Sequence, residues 1–183
     1  MTEPGLRLPP IEDIDVEDLA ALPRGYRYEL HHGNLVVMTP TTFWHKRVAR
    51  RLMLVLFAAG LDVLQDCGVK GVRPRDLRLP DLGVLVQPAP EDPAEYSYLP
   101  PSAYSLVIEI VSKNSPNGEF VAKRLWYAEH GIPEYWIVEE TPEGSKDDGV
   151  ITIMRLDEDD DKPDHVVERS LLVSELEAEY RRG

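Results

Sequence analysis

The chain has 183 residues, 43% of them apolar, with 20 Lys+Arg against 33 Asp+Glu and a net charge of −13. That length and apolar content suit one domain with a real core and exclude wholesale disorder. No apolar run reaches the roughly 18 residues that span a bilayer, the start (MTEPGLRLPP) lacks a signal-peptide hydrophobic region, and a lone Cys67 forms no internal disulfide, so a reducing, cytoplasmic setting without membrane contact is expected.

In chain order, residues 1–14 read as a Pro-containing, poorly ordered lead and 15–183 as a single domain. Asp15 caps a short helix, with Asp18 in the capping-box position and Pro23 at its end. Tyr26, Tyr28 and Leu30 then alternate with Arg27 and Glu29. Gly33-Asn34 marks a turn and LVVM follows, so the segment reads as a hairpin. Over 42–59 the residues Trp44, Val48, Leu52, Val55, Leu56 and Ala59 recur at helical spacing. Lys46, Arg47, Arg50 and Arg51 crowd the other face, and Gly60 supplies the stop.

Residues 62–73 are strand material broken by Gly68 and Gly71, DLGVLV (81–86) is a strong strand, and 87–103, with five Pro, is a surface loop. YSLVIEIV (104–111) is nearly continuous apolar sequence, as expected of a central strand buried on both faces. A helix over 118–129 follows, with Asn117 as N-cap and Gly131 as stop. Val121, Leu125 and Ala128 form its core stripe and leave Lys123 at one border. Strands at 134–138 and 150–154 pair as a hairpin, and a strand near 165–168 and a helix near 174–181 close the chain. This order gives an α/β (α+β) domain with a central mixed sheet flanked by helices.

Glu109 lies inside the most apolar strand, where an unpaired carboxylate would cost several kcal/mol. It therefore meets a cation, a metal or a proton: an internal ion pair with Lys123 and a metal-ligand role stand about level. Asp81, directly after Pro80 at the start of another strong strand, is a turn residue or a second carboxylate beside Glu109. Two carboxylates with a lysine make a divalent-metal site, because Mg²⁺ takes a few carboxylate oxygens and fills its shell with water and phosphate. Lys123 or Lys113 would then neutralise phosphate charge. One Cys and five His without CxxC or HExxH give no zinc site. Walker-A, GxGxxG and GxSxG motifs are absent too. Trp126, Tyr135 and Trp136 lie in strongly patterned elements and read as core. The run Asp157–Asp161 reads as a solvated loop without calcium-loop spacing.

Glu29 in YELHHGNLVVM, His45, Pro80-Asp81, VIEIVS, Lys123 with Tyr127, and GIPEYWIV stand in one order. Across about residues 16–155 that ordered set resembles the Uma2 family, once a domain of unknown function and since given a restriction-endonuclease label. The resemblance implies the PD-(D/E)XK nuclease fold, a mixed sheet flanked by helices around a Mg²⁺- or Mn²⁺-dependent phosphodiesterase site. It implies Asp81 and Glu109 as metal ligands, Glu29 as an additional acid and Lys123 as the catalytic lysine, with His45 touching phosphate or orienting Glu29. The lysine is displaced: the general pattern puts it two residues after the acid, where this chain has Val111.

The charge of −13 first speaks against nucleic acid. Yet residues 139–183 hold 15 acidic and 6 basic side chains, whereas residues 24–87 hold 10 basic and 5 acidic. A metal site's own carboxylates also count as negative until the metal arrives. Two functions are therefore expected to compete. One is a metal-dependent DNA endonuclease, a homodimer on duplex DNA whose Lys46, Arg47, Arg50 and Arg51 bind backbone phosphates. The other is a catalytically inactive nuclease-fold module acting by self-association or protein binding.

Overall fold

The computed structural model describes residues 10, 12, 14–38, 40–86, 98–111, 119–157 and 162–181. Most of the predicted lead, part of the Pro-rich loop, the segment 112–118 with Lys113 and Asn117, and residues 158–161 of the acidic run lie outside the described residues. The described chain is a mixed α+β structure with two sheets and three α-helices.

The larger sheet has the order β11-β10-β9-β8-β6-β3. Its strands are Val63–Gln65 (β3), Leu82–Leu85 (β6), Tyr104–Val111 (β8), Glu134–Glu140 (β9), Gly149–Asp157 (β10) and Asp164–Leu172 (β11). β8 and β9 are parallel and every other pair is antiparallel. A parallel pair needs a crossover, and the helix α2 (Arg124–Glu129) lies within it. β8 has the predicted bounds and is buried from Leu106 to Val111. Gly83 of β6 is required by contact: a Cβ there would stand 2.6 Å from the Tyr104 ring.

The smaller sheet has the order β2-β1-β5-β4-β7: Arg27–His31 (β1), Asn34–Met38 (β2), Gly68–Lys70 (β4), Leu77–Arg78 (β5) and Tyr98–Leu99 (β7). The predicted β1–β2 hairpin forms, but its turn is His32-Gly33, at φ 49° and 90°, and Asn34 already pairs with His31. Two successive left-handed residues give the turn whose twist matches a tight hairpin. The predicted capping box also forms: Asp15 accepts from the backbone N–H groups of Glu17 and Asp18, while the Asp18 carboxylate accepts from Asp15 N–H at 2.9 Å.

Helix α1 (Phe43–Ala58) buries Trp44, Val48, Leu52 and Leu56 against one face of the larger sheet, with helix α3 (Val173–Tyr180) beside it. α2 buries Trp126 and Tyr127 with Val107, Val111 and Tyr135 in a second core. The predicted stripe on α2 is corrected. Val121 and Leu125 are exposed, and the buried residues are Lys123, Trp126, Tyr127 and Ala128. Lys123, Trp126 and Tyr127 keep ordinary i, i+3, i+4 spacing, so the inward face is the one that carries the two large rings into the second core rather than the one that carries Val121 and Leu125. Trp136 and Tyr135 are buried, as their patterning predicts. Among the described residues no helix is long and apolar enough to cross a membrane.

Candidate active site

On β1, strand alternation sends Tyr28 and Leu30 into the core under the small sheet. Arg27, Glu29 and His31 therefore share the opposite face. Glu29 is nearly fully buried. Its Oε1 accepts from Leu79 N–H and from Lys123 Nζ, both at 2.8 Å, and its Oε2 lies 2.6 Å from His31 Nε2. These partners outweigh the burial that would raise it and hold the carboxyl down to about 2.

Asp81 stands immediately before β6. The pair Leu82–Ile108 is in register between antiparallel β6 and β8, so one step further Asp81 faces Glu109. Asp81 Oδ2 accepts from Ile110 N–H at 2.8 Å and Oδ1 lies 3.1 Å from His45 Nε2. His45 is placed by the N-cap of α1, where Thr42 Oγ1 accepts from its backbone N–H at 3.2 Å. Burial works to raise Asp81, but His45, Ile110 N–H and Arg27 together hold its carboxyl below the usual range.

Glu109 is the exception among the three acids. Its Oε1 accepts from Lys123 Nζ at 3.0 Å and from the Tyr127 hydroxyl at 2.8 Å. Burial nevertheless pushes it up to about 8, assisted by the Asp81 and Glu29 carboxylates and opposed by Lys123. Lys123 is held above its ordinary range, because the charges of Glu109 and Glu29 outweigh its burial.

The structure thus brings Glu29, His45, Asp81, Glu109 and Lys123 into one cluster, from segments spread over nearly a hundred positions. Val111 packs in the second core, and Lys123, from the helical segment, bonds Glu29 and Glu109. Lys46, Arg47 and Arg50 remain exposed on α1. Arg51 does not: its guanidinium makes two bonds to Glu177, at 2.7 and 2.8 Å, and a third to the Asp147 carbonyl. That group fastens α1 to α3 and is spent structurally. Sequence reasoning missed His31, Arg27 and Asp66, whose Oδ1 lies 2.6 Å from Arg27 Nη2. The first two are two residues either side of Glu29 on one strand face, a signal that period-two alternation carries.

Among the described residues no three His, Cys, Asp or Glu side chains converge as a metal cage. The donors on offer are the facing carboxylates of Asp81 and Glu109, too few for a closed zinc site and suited to a hard cation that keeps water and phosphate ligands. The charge balance agrees: three carboxylates face Lys123 and Arg27, and Glu109 is raised by its acidic neighbours. A divalent cation would supply the missing charge, so these residues fit one.

Residues 15–180 match a family described as "Putative restriction endonuclease". The chain belongs to the Uma2 family. Among solved structures, one from Anabaena variabilis, described as a putative nuclease belonging to DUF820, is similar at 14% identity and a TM-score of 0.62. The match covers 91% of this chain and 99% of that one. At that identity the likeness speaks for the fold alone. A comparison with curated proteins finds no match.

Proposed function

We propose that the chain is an endonuclease that hydrolyses phosphodiester bonds of DNA with Mg²⁺ or Mn²⁺ held by Asp81 and Glu109. One observation carries the reading: Asp81 stands one residue beyond the Leu82–Ile108 pair, near enough for its charge to act on Glu109, and a lysine from a third element is bonded to Glu109. A divalent cation in that position supplies charge neutralisation at the phosphate and a more acidic water. The chain's own residues do the rest. His45 and Ile110 N–H fix Asp81, while Tyr127 fixes Glu109. Glu29 positions Lys123 and keeps it protonated, so that its ammonium can meet charge developing on a phosphate oxygen. A homodimer would bring one such site to each strand of a duplex, and sedimentation with and without DNA tests that extension.

A second reading has one observation in its favour. Lys123 bonds both Glu29 and Glu109, and all three side chains are at most 4% exposed. A closed ion network of that kind would suit a non-catalytic module. Plasmid cleavage with Mg²⁺ or Mn²⁺ separates the two. Nicking by the wild type that disappears in Asp81→Ala and Glu109→Ala supports the nuclease; nicking that survives both changes sinks the assigned site. A wild type that neither nicks nor gains thermal stability from Mn²⁺ supports the second reading.

A further inference from the structure

Two arginines of the small sheet are used in opposite ways. Arg78 is buried and fully engaged. Its Nη1 donates to the Leu30 carbonyl at 2.7 Å and to Asp76 at 2.8 Å, and its guanidinium lies 4.7 Å from the centre of the Trp126 ring. Those are the marks of a structural ion pair.

Arg27 lies on the same face of β1 as Glu29 and is 24% exposed. Its one short contact is Nη2 to Asp66 Oδ1 at 2.6 Å. Its contacts to Asp81 Oδ1, at 3.4 and 3.5 Å, are long for charge-assisted bonds. Its Nε is buried and has no hydrogen-bond partner among the described residues. A buried, unsatisfied donor costs free energy unless a partner arrives. Asp66 itself is 44% exposed and has a left-handed backbone at φ 54°, between β3 and β4. It is a tether at the lip of the cluster, not a core partner.

We propose that Arg27 is a phosphodiester-binding residue and that Asp66 is its competitor. In the free protein Asp66 holds one edge of the guanidinium. When substrate arrives, a phosphate oxyanion takes the fork, including the unsatisfied Nε–H, and Asp66 is released towards water. The planar fork matches two phosphate oxygens, which an ammonium does not. The position is apt, since Arg27 adjoins Asp81. This inference rests on the nuclease reading for its substrate but not for its test.

The test is fluorescence anisotropy with a labelled duplex DNA oligonucleotide in Ca²⁺, with an RNA of the same sequence as a second arm to show which phosphodiester is bound. Arg27→Gln should weaken binding about tenfold. Arg27→Lys keeps the charge without the fork and should fall between. Asp66→Asn should tighten binding about threefold, because it removes the competing anion. The opposite signs exclude a merely structural ion pair, in which both variants would lose affinity and melting temperature together. Wild-type affinity in Arg27→Gln, or parallel losses in the two variants, overturns the proposal. Wild-type cleavage without an Arg27 effect on binding removes the clamp alone. Arg27-dependent binding without cleavage removes the nuclease reading alone, and a wild type that binds neither probe removes both.

Discussion

The two sides of the cluster treat a buried glutamate in opposite ways. Glu29, from the small sheet, and Glu109, from the large one, are equally buried and touch the same ammonium at 2.8 and 3.0 Å. Yet Glu29 is held down to about 2 and Glu109 is pushed up to about 8. The shared lysine cannot explain the difference; the other neighbours do. Glu29 also receives Leu79 N–H and lies against His31, while Glu109 receives one hydroxyl and faces Asp81. The small sheet completes its carboxylate, and the large sheet leaves its own short of positive charge. A divalent cation held as proposed would relieve that shortage.

The comparison breaks first at Lys123. Lys123→Met removes the cation that Glu29 and Glu109 share, leaves the ionised Glu29 uncompensated and should cost about 3–5 kcal/mol, read from urea denaturation at pH 7. An unchanged midpoint would mean that neither acid depends on it. Next, Glu29→Gln and Glu109→Gln should differ. Glu29→Gln loses charge-assisted bonds and should cost about 2 kcal/mol, whereas Glu109→Gln at pH 8 should be close to neutral because it removes a repelled charge. Equal losses would remove the asymmetry.

Without metal, the pH dependence separates the two acids. Glu109 is raised, so its contribution is complete below its ordinary 4.5 and is lost as pH climbs through about 8. Glu29 is depressed, so its contribution is present above 4.5 and is lost as pH falls towards about 2. Between pH 5 and 8 stability should therefore decline by at most about 1.4 kcal/mol per pH unit, and Glu109→Gln should flatten that decline. A wild-type melting temperature that rises steadily over this interval would contradict the raised Glu109. Tyr127→Phe should cost about 1 kcal/mol, with the decline extending to slightly higher pH, because the hydroxyl that lowers Glu109 is gone.

How much of this was legible in the sequence depended on the distance over which each feature is decided. Glu109 was legible because a carboxylate interrupts an otherwise strand-like segment of eight residues, and Asp81 because it opens an apolar strand after Pro80. The β1–β2 hairpin and the capping box of Asp15 and Asp18 are local and were read nearly as they form. The inward orientation of Lys123 is not legible locally: it shares a face with Trp126 and Tyr127 at ordinary helical spacing, but a lysine is buried there only because Glu29, 94 positions away, arrives to meet it. Arg51 looked available because its partner, Glu177, is 126 positions away. Asp66 carried no signal at all, since its contact depends on Arg27 arriving from β1, a strand distant in sequence.

Lys123 is bonded on one side to β1 of the small sheet and on the other to β8 of the large one. Mechanically it is a pin through two plates. Any anion that draws its ammonium away from either carboxylate slackens the joint between the sheets, so occupancy becomes a change in stiffness. Amide exchange at Leu79, whose N–H donates to the Glu29 oxygen that also holds Lys123, should quicken on binding a phosphodiester and stay fixed in a variant that has lost the pin.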